Sequence, residues 1–290
     1  MGDHKQIYFP MNYQELFSIW NSNPNAILYA GGTGHIRNQN KHILEAPQNI
    51  ISLDGMEDLH RVSRTERYIE LGAMVKLNQI INLGKIVPEP LIQCLGCIAG
   101  PQLRNQATIG GNICYPSRRL DACAPMIAMD AHYELKSAQT TRWIPASRFS
   151  SLPGPPPLNS QEFLTRIRVP LEPWDFTWYR KFLGRSSNRA GGAILFIMKN
   201  QKNILTNIRV VFTGRTILRE KNSETMLIGK RLPLTRRDVD AFVDSWKQYL
   251  SVYGSVEFYV FSDKEEFSNP ELTKSQILNF IKFMLTRISE

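Results

Sequence analysis

Gly100-Pro101-Gln102-Leu103-Arg104-Asn105-Gln106-Ala107-Thr108-Ile109-Gly110-Gly111-Asn112 is the stretch around which the rest of the chain is arranged. It opens on a Gly-Pro turn signal, carries no acidic residue, and closes on small and amide residues with one apolar plug at Ile109. Paired glycines let a backbone bend sharply and present its N–H groups with no Cβ in the way. Consecutive N–H groups of that kind form a concave nest for phosphate-like anions. A Gly-Gly pair more often marks an ordinary turn, so the stretch gains weight only from a second one upstream.

That second stretch starts in an apolar run, Ala26-Ile27-Leu28-Tyr29-Ala30, which reads as a short buried strand. It ends directly in Gly31-Gly32-Thr33-Gly34-His35. A strand running into a glycine-rich turn is the usual setting for phosphate cradling. A dinucleotide-binding fingerprint would need a third glycine near Arg37, and Asn38-Gln39-Asn40-Lys41 does not look like the start of a helix. The expectation is a phosphate loop without the Rossmann crossover. Two glycine turns about 75 residues apart suggest a pair of loops gripping one extended diphosphate ligand.

A chain of 290 residues, 42% hydrophobic and 21% charged, has the composition of a globular protein with one large domain or two. No apolar run approaches the roughly 18 to 20 residues that cross a bilayer. Met1-Gly2-Asp3-His4-Lys5-Gln6 lacks an apolar signal core, so the cytoplasm is the expected location. The formal charge of +9 suits a phosphate-bearing cofactor, a nucleic acid or an acidic partner. Its positive residues are scattered, with short pairs at Arg118-Arg119 and Arg236-Arg237, and no basic face interleaved with aromatics marks a nucleic-acid binder. Cys94 and Cys97 form a Cys-x-x-Cys, but Cys114 and Cys123 make no second pair, and no His follows at zinc spacing. Within the apolar segment Leu91 to Ala99, Cys94 and Cys97 read as buried filler rather than a metal or redox site.

Along the chain, Tyr13, Leu16, Phe17 and Trp20 recur at helical spacing. Ile50 to Leu53 and Tyr68 to Leu71 read as strands, followed by helices near 76–83 and 89–99 and then the central loop. Ala122 to Ala131 reads as helix, and His132 to Lys136 and Phe163 to Val169 as strands. Between them Leu152-Pro-Gly-Pro-Pro-Pro-Leu-Asn-Ser160 reads as a stiff surface connector. Strands are expected at Thr177–Phe182, Gly192–Lys199 and Ile204–Thr213. Two amphipathic helices follow, one with Val239, Phe242, Val243, Trp246, Tyr249 and Leu250, the other with Ile277, Phe280, Ile281, Met284, Leu285 and Ile288. Both stripes read as core packing, and sheet followed by helices indicates an α+β domain.

The order of these motifs resembles the FAD-binding subunit of the molybdenum hydroxylases, the xanthine dehydrogenase and carbon monoxide dehydrogenase family. The most specific block runs from Pro101-Gln102-Leu103-Arg104-Asn105 through Thr108-Ile109-Gly110-Gly111-Asn112, then Asp121 and Ala128-Met129-Asp130-Ala131. Ala30-Gly31-Gly32-Thr33 matches the family's other signature, and Tyr179, Lys181 and Arg185 its Tyr-x-Lys-x-x-x-Arg. Ile208 to Gly214, with Glu224, Leu227, Gly229 and Lys230 after it, resembles the start of its C-terminal domain.

The resemblance implies an α+β protein. Its FAD-binding domain of two α/β subdomains, of the vanillyl-alcohol-oxidase or PCMH-like kind, would span 1–173, divided into 1–55 and 56–173. An antiparallel sheet with packed helices would form a C-terminal domain over 174–290. Backbone amides of Leu28, Tyr29, Ala30, Gly31, Gly32, Thr33, Gly34 and His35 would cradle the FAD pyrophosphate. Thr108, Ile109, Gly110, Gly111 and Asn112 would line the cofactor from the other side. Asp121 would bond ribityl or ribose hydroxyls, its plainer role being a helix N-cap for the run from Ala122. Ile98 and Leu164 would supply apolar positions, and Lys181 would approach the flavin edge, its plainer role being a solvated strand lysine.

The family's usual Pro before the Asp is replaced by Arg118-Arg119, which could meet phosphate or an anionic partner. The first loop carries Gly34-His35 where relatives often have a polar or acidic residue, and Gly254 to Tyr259 lacks an expected Arg. The implied function is the flavin step of a multi-subunit oxidoreductase. A molybdopterin-binding large subunit and a 2Fe-2S small subunit would be its partners, and NAD+, oxygen or another carrier would take the electrons. The alternatives are a stand-alone FAD-dependent oxidase or reductase of the same fold, and a basic nucleic-acid-binding module.

Overall fold

The computed structural model describes residues 5–34, 47–115, 121–150, 156–183, 190–214, 217–253 and 270–289. The first sheet is small and parallel. Strands β1 (Gln6–Tyr8), β2 (Ile27–Tyr29) and β3 (Asn49–Ser52) lie in the order β1-β3-β2. Between β1 and β2 sits the helix Tyr13–Ser22, begun by Asn12, whose side chain accepts the Glu15 N–H at 2.9 Å. Its apolar stripe buries Leu16 and Phe17 against Ile51, Leu53, Met56 and Phe163.

The second sheet is antiparallel, with β4 (Val62–Arg64), β5 (Tyr68–Gly72), β6 (His132–Lys136), β7 (Thr141–Pro145) and β8 (Phe163–Pro170) in the order β4-β5-β8-β6-β7. Side chains alternate across it as strand geometry requires. Ile69, Leu71, Ile167 and Val169 face inward onto the helices Leu77–Asn82, Glu89–Gly96 and Cys123–Ala128. On the outer face Glu70 pairs with Arg166 and Arg168, and the Arg168 guanidinium lies over the Tyr68 and Trp143 rings.

The third sheet, β9 (Phe176–Leu183), β10 (Ala190–Gln201), β11 (Ile204–Thr213) and β12 (Ile217–Leu218), is antiparallel in the order β12-β11-β10-β9. One face is covered by the helices Lys221–Leu227, Arg236–Tyr253 and Pro270–Arg287. Phe242, Trp246, Ile281 and Met284 are fully buried there, so both amphipathic stripes are core packing. The opposite face, with Tyr179, Ala193, Leu195 and Val211, joins the core of the second sheet. Asp130 fastens the two layers, pairing with Arg209 at 2.7 Å and Arg219 at 3.4 Å.

Four expectations change. The apolar run at β2 is an edge strand, not a buried one, and Ile27 remains 49% exposed because that wall faces a cavity. β2 and β3 pair in parallel, an arrangement that a tight hairpin cannot join, even though the dinucleotide fingerprint is missing. Residues 35–46 lie outside the described residues. The stretch Gly100–Asn112 is not one loop, since it folds into the short helices Pro101–Arg104 and Ile109–Ile113. Within the proline-rich connector, Leu158 packs on the core and lines the cavity.

Candidate functional site

The two glycine stretches meet. A methyl group on Gly31 would lie 2.1 Å from the Gln106 carbonyl oxygen and 3.2 Å from the Ala107 Cα. One on Gly111 would lie 4.0 Å from the Ala30 Cβ. Gly32 has φ +70°, in the left-handed region that glycine enters freely, and the Tyr29 hydroxyl occupies the space beside it. The Tyr115 ring takes the corresponding space beside Gly34.

Around this junction opens a cavity of about 960 Å³, at the upper end of the range for small-molecule sites. Leu28, Tyr29, Ala30, Gly31, Gly32, Thr33 and Gly34 line one wall, and Thr108, Gly110, Gly111 and Asn112 the adjoining one. Ile98, Asp121, Leu164 and Lys181 complete the expected set around it. Ile109 is the exception, fully buried in the core and absent from the lining. His35, Arg118, Arg119 and Arg185 lie outside the described residues.

The backbones of the two bends behave differently. In the second, the Ile109 N–H donates to the Val75 carbonyl at 3.0 Å and the Gly110 N–H to that of Ala73 at 2.9 Å. Gly111 donates to Thr108 Oγ1 at 3.1 Å, and Asn112 to the Thr108 carbonyl at 3.0 Å. Thr108 is the N-cap of the helix Ile109–Ile113, and its neighbours consume the amides that an anion nest would need. The nest expected over these residues is therefore not formed. In the first bend, among the described residues, the N–H groups of Gly31, Gly32 and Thr33 meet no protein acceptor. Thr33 and Gly34 begin a helical turn, whose leading N–H groups lack intrahelical partners by construction.

At another side of the cavity, Asp121 is the centre of a half-buried polar group. Tyr179 Oη donates to its Oδ1 at 2.9 Å, and Lys181 Nζ lies 2.9 Å from its Oδ2. Tyr179 and Lys181 are two apart on β9 and so share a face. The Cys94 thiol donates to the Asp121 carbonyl at 3.1 Å, and the Ala122 N–H donates to Asn112 Oδ1 at 3.3 Å. Asp121 is not the cap of the next helix, because that position belongs to Ala122. Burial, then the nearby Asp121 charge, push the Cys94 thiol well above its ordinary range. Burial and the Cys94 and Asp121 charges do the same to the Tyr179 phenol. Cys94 is buried filler as expected, whereas Cys97 is exposed. Among the described residues no group of three His, Cys, Asp or Glu could hold a metal ion.

Sequence reasoning missed Trp20, Tyr115, Leu158, Gly192, Ala193 and Thr213, all of which line the cavity. Gly192 carried a readable signal, a glycine inside a strand where another group approaches closely. A side chain there would collide with the Phe212 ring and the Thr213 carbonyl.

Residues 3–172 match the family model described as the FAD binding domain in molybdopterin dehydrogenase. The chain belongs to this flavoprotein family. The carbon monoxide dehydrogenase medium chain of Hydrogenophaga pseudoflava is 28% identical over 204 residues, 69% of this chain and 70% of that protein. The xanthine dehydrogenase FAD-binding subunit of Escherichia coli O157:H7 is 30% identical over 176 residues, 60% of each. The solved structure of quinoline 2-oxidoreductase from Pseudomonas putida 86 shares the fold, with a TM-score of 0.81 at 16% identity over 98% of this chain and 96% of that one.

The cofactor of the family is FAD, and the cavity of this flavoprotein fits it. An extended dinucleotide needs donors for its phosphates and apolar walls for its rings. The free amides of Gly31 to Thr33 supply the first, and Leu28, Ile98, Leu164 and Ala193 the second. No helix of the described residues is long and apolar enough to cross a membrane.

Proposed function

We propose that this chain is the electron-transfer subunit of a molybdenum-containing hydroxylase, seating FAD in the cavity where the two glycine bends meet. The convergence of Gly31 on Gln106 and of Gly111 on Ala30 carries the reading, because it turns two distant signatures into one wall. The amides of Gly31, Gly32 and Thr33 would take the pyrophosphate, with Leu28, Tyr29, Ala30, Gly34 and His35 beside them. Thr108, Gly110, Gly111 and Asn112 would pack along the cofactor, while Ile109 anchors them from the core. Asp121 would receive ribityl or ribose hydroxyls, and Ile98 and Leu164 would contact apolar surface.

When bound, FAD supplies the ability to take electrons singly and release them in pairs. The chain's part is to seat and tune it. Lys181 presents a positive charge that favours electron density arriving nearby, and Asp121 and Tyr179 hold that charge in place. The Tyr179 phenol stays protonated at neutral pH, so it donates to Asp121 and adds no negative charge.

A molybdopterin-binding large subunit would oxidise the substrate, and a 2Fe-2S small subunit would relay electrons to this one. NAD+ or another carrier would remove them, in the cytoplasm. The names of the relatives, a medium chain and an FAD-binding subunit, support this division of labour. On the same reading residues 1–173 form the FAD-binding domain, with subdomains 1–55 and 56–173, and residues 174–290 the C-terminal domain. The purified full chain is expected to be yellow, with an absorbance band near about 450 nm that dithionite bleaches. Tagged chain expressed with its native partners should co-purify molybdenum and iron. A colourless protein that takes up no added FAD would overturn the reading, and a flavoprotein that copurifies neither metal would overturn the assignment to such a complex.

A further inference from the structure

Arg104 lies in the Gly100–Asn112 stretch, yet it does not line the cavity. Its Nη1 donates to three carbonyls, those of Gly96 at 3.2 Å, Ile98 at 2.9 Å and Ala99 at 2.7 Å. Its Nε is buried with no partner among the described residues, and all three contacts run through Nη1. The contact with Gly96 is ordinary helix chemistry, because the last carbonyls of Glu89–Gly96 lack intrahelical donors and favour a cation. The contacts with Ile98 and Ala99 are not. These residues follow the helix, and both line the cavity. Ala99 has φ +45°, in the left-handed region, where a Cβ crowds the following carbonyl oxygen and alanine is disfavoured.

An alanine held there needs something to hold it. The guanidinium accounts for it, gripping the carbonyls on both sides of the Ala99 Cα. We propose that Arg104 is a positioning residue, one that pins Ile98 and Ala99 in a left-handed turn and thereby fixes the cavity wall against which FAD is seated. This inference rests on the flavin reading of the cavity. It goes beyond it by giving a residue outside the cavity control over the shape of one wall.

The test uses the full chain and four variants: Arg104→Gln, Arg104→Lys, Ala99→Gly, and Arg104→Gln combined with Ala99→Gly. FAD dissociation constants, the visible spectrum of bound flavin and the thermal midpoint are measured for each. Arg104→Gln should raise the dissociation constant about tenfold and alter the shape of the bound-flavin band. Arg104→Lys should be similarly weakened, since its ammonium keeps the charge but ends one atom short of the place Nη1 takes among the three carbonyls. Ala99→Gly alone should stay within about twofold of the parent. In the double variant it should recover at least half of the lost affinity on a logarithmic scale, because glycine takes the left-handed turn unaided. The thermal loss from the helix end should not be recovered. An unchanged dissociation constant in Arg104→Gln, or no recovery in the double variant, would overturn the proposal. Should Arg104→Gln fail to fold, the same pair is made with Arg104→Lys. Failure of the parent chain to take up FAD would overturn the flavin reading first and this inference with it.

Discussion

The two glycine bends that meet at the cavity use the same residue for different ends. In Ala30–Gly34 the backbone N–H groups of Gly31, Gly32 and Thr33, which line the cavity, meet no acceptor among the described residues. In Thr108–Asn112 each N–H from Ile109 onward already has one, within the short helix or on the carbonyls of Ala73 and Val75. Crowding calls for glycine in the second bend as it does at Gly31 in the first. A methyl on Gly110 would stand 2.7 Å from Ala73, and one on Gly111 would stand 2.9 Å from the Thr108 hydroxyl. The first bend can therefore bind through its backbone, while the second shapes the wall that makes room for what is bound.

The largest test of that contrast is Gly31→Ala. Its methyl would press on the Gln106 carbonyl from 2.1 Å and drive the bends apart. FAD affinity measured by fluorescence quenching should fall at least about a hundredfold. A variant that bound FAD as the parent does would show that the junction is not what forms the site.

Thr108→Ala sharpens the other half. Losing an N-cap hydroxyl costs about 1 kcal/mol of stability, which a denaturant titration would register. The dissociation constant for FAD should move by less than about threefold, a small free-energy change. A large loss of affinity with unchanged stability would mean that the second bend binds directly after all.

The smallest effect is on pH. Glu162, bonded to Arg142, and Glu172, bonded to Lys199, are held below their ordinary value of 4.5. Asp238, bonded to Thr235 and Lys230, is likewise held below 3.8. A carboxylate depressed in the folded state adds stability above its unfolded value, and that stability is lost as pH falls through the folded one. The acid limb should thus begin below about pH 4.5. Cys94 and Tyr179 act in the opposite direction, because the folded state keeps both protonated above their ordinary 9.0 and 10.0. Their contribution is complete below those values and lost as pH rises past them toward the raised folded values. Thermal midpoints measured across pH should therefore be level near neutrality and decline above pH 9.0, where the thiol would ionise in the unfolded chain. A level profile through that region would mean that the Cys94–Asp121–Tyr179 group is not closed to solvent.

Much of this was legible in the sequence, for physical reasons. Helices with a clear apolar stripe, such as Arg236–Tyr253, declared themselves, as did strands with an alternating run, such as Thr165 to Val169 of β8. Strands that are short and polar did not. All of Val62-Ser63-Arg64 is exposed and exists as β4 only through pairing with β5. For the site, motif order gave the cavity-lining glycines of the two bends, Asp121 and Lys181, but not which neighbours point inward. Ile109 sits amid cavity residues and faces the core, because a one-turn helix rotates its neighbours onto different sides. Leu158 lay in a segment whose composition read as connection, and tertiary folding alone brings it to the wall.

The family match stops at residue 172, before β9 begins. Even so, Lys181, Gly192, Ala193 and Thr213 from the following sheet line the cavity. Tyr179 from that sheet bonds the carboxylate of Asp121 from the preceding layer, and Arg209 and Arg219 lock onto Asp130 a few residues further along. The point where the match ends therefore falls, in the folded chain, in the middle of a single chamber. A fragment severed there would be a cup lacking one side, so neither piece is interchangeable with the corresponding piece of a relative unless the opposing rim travels with it.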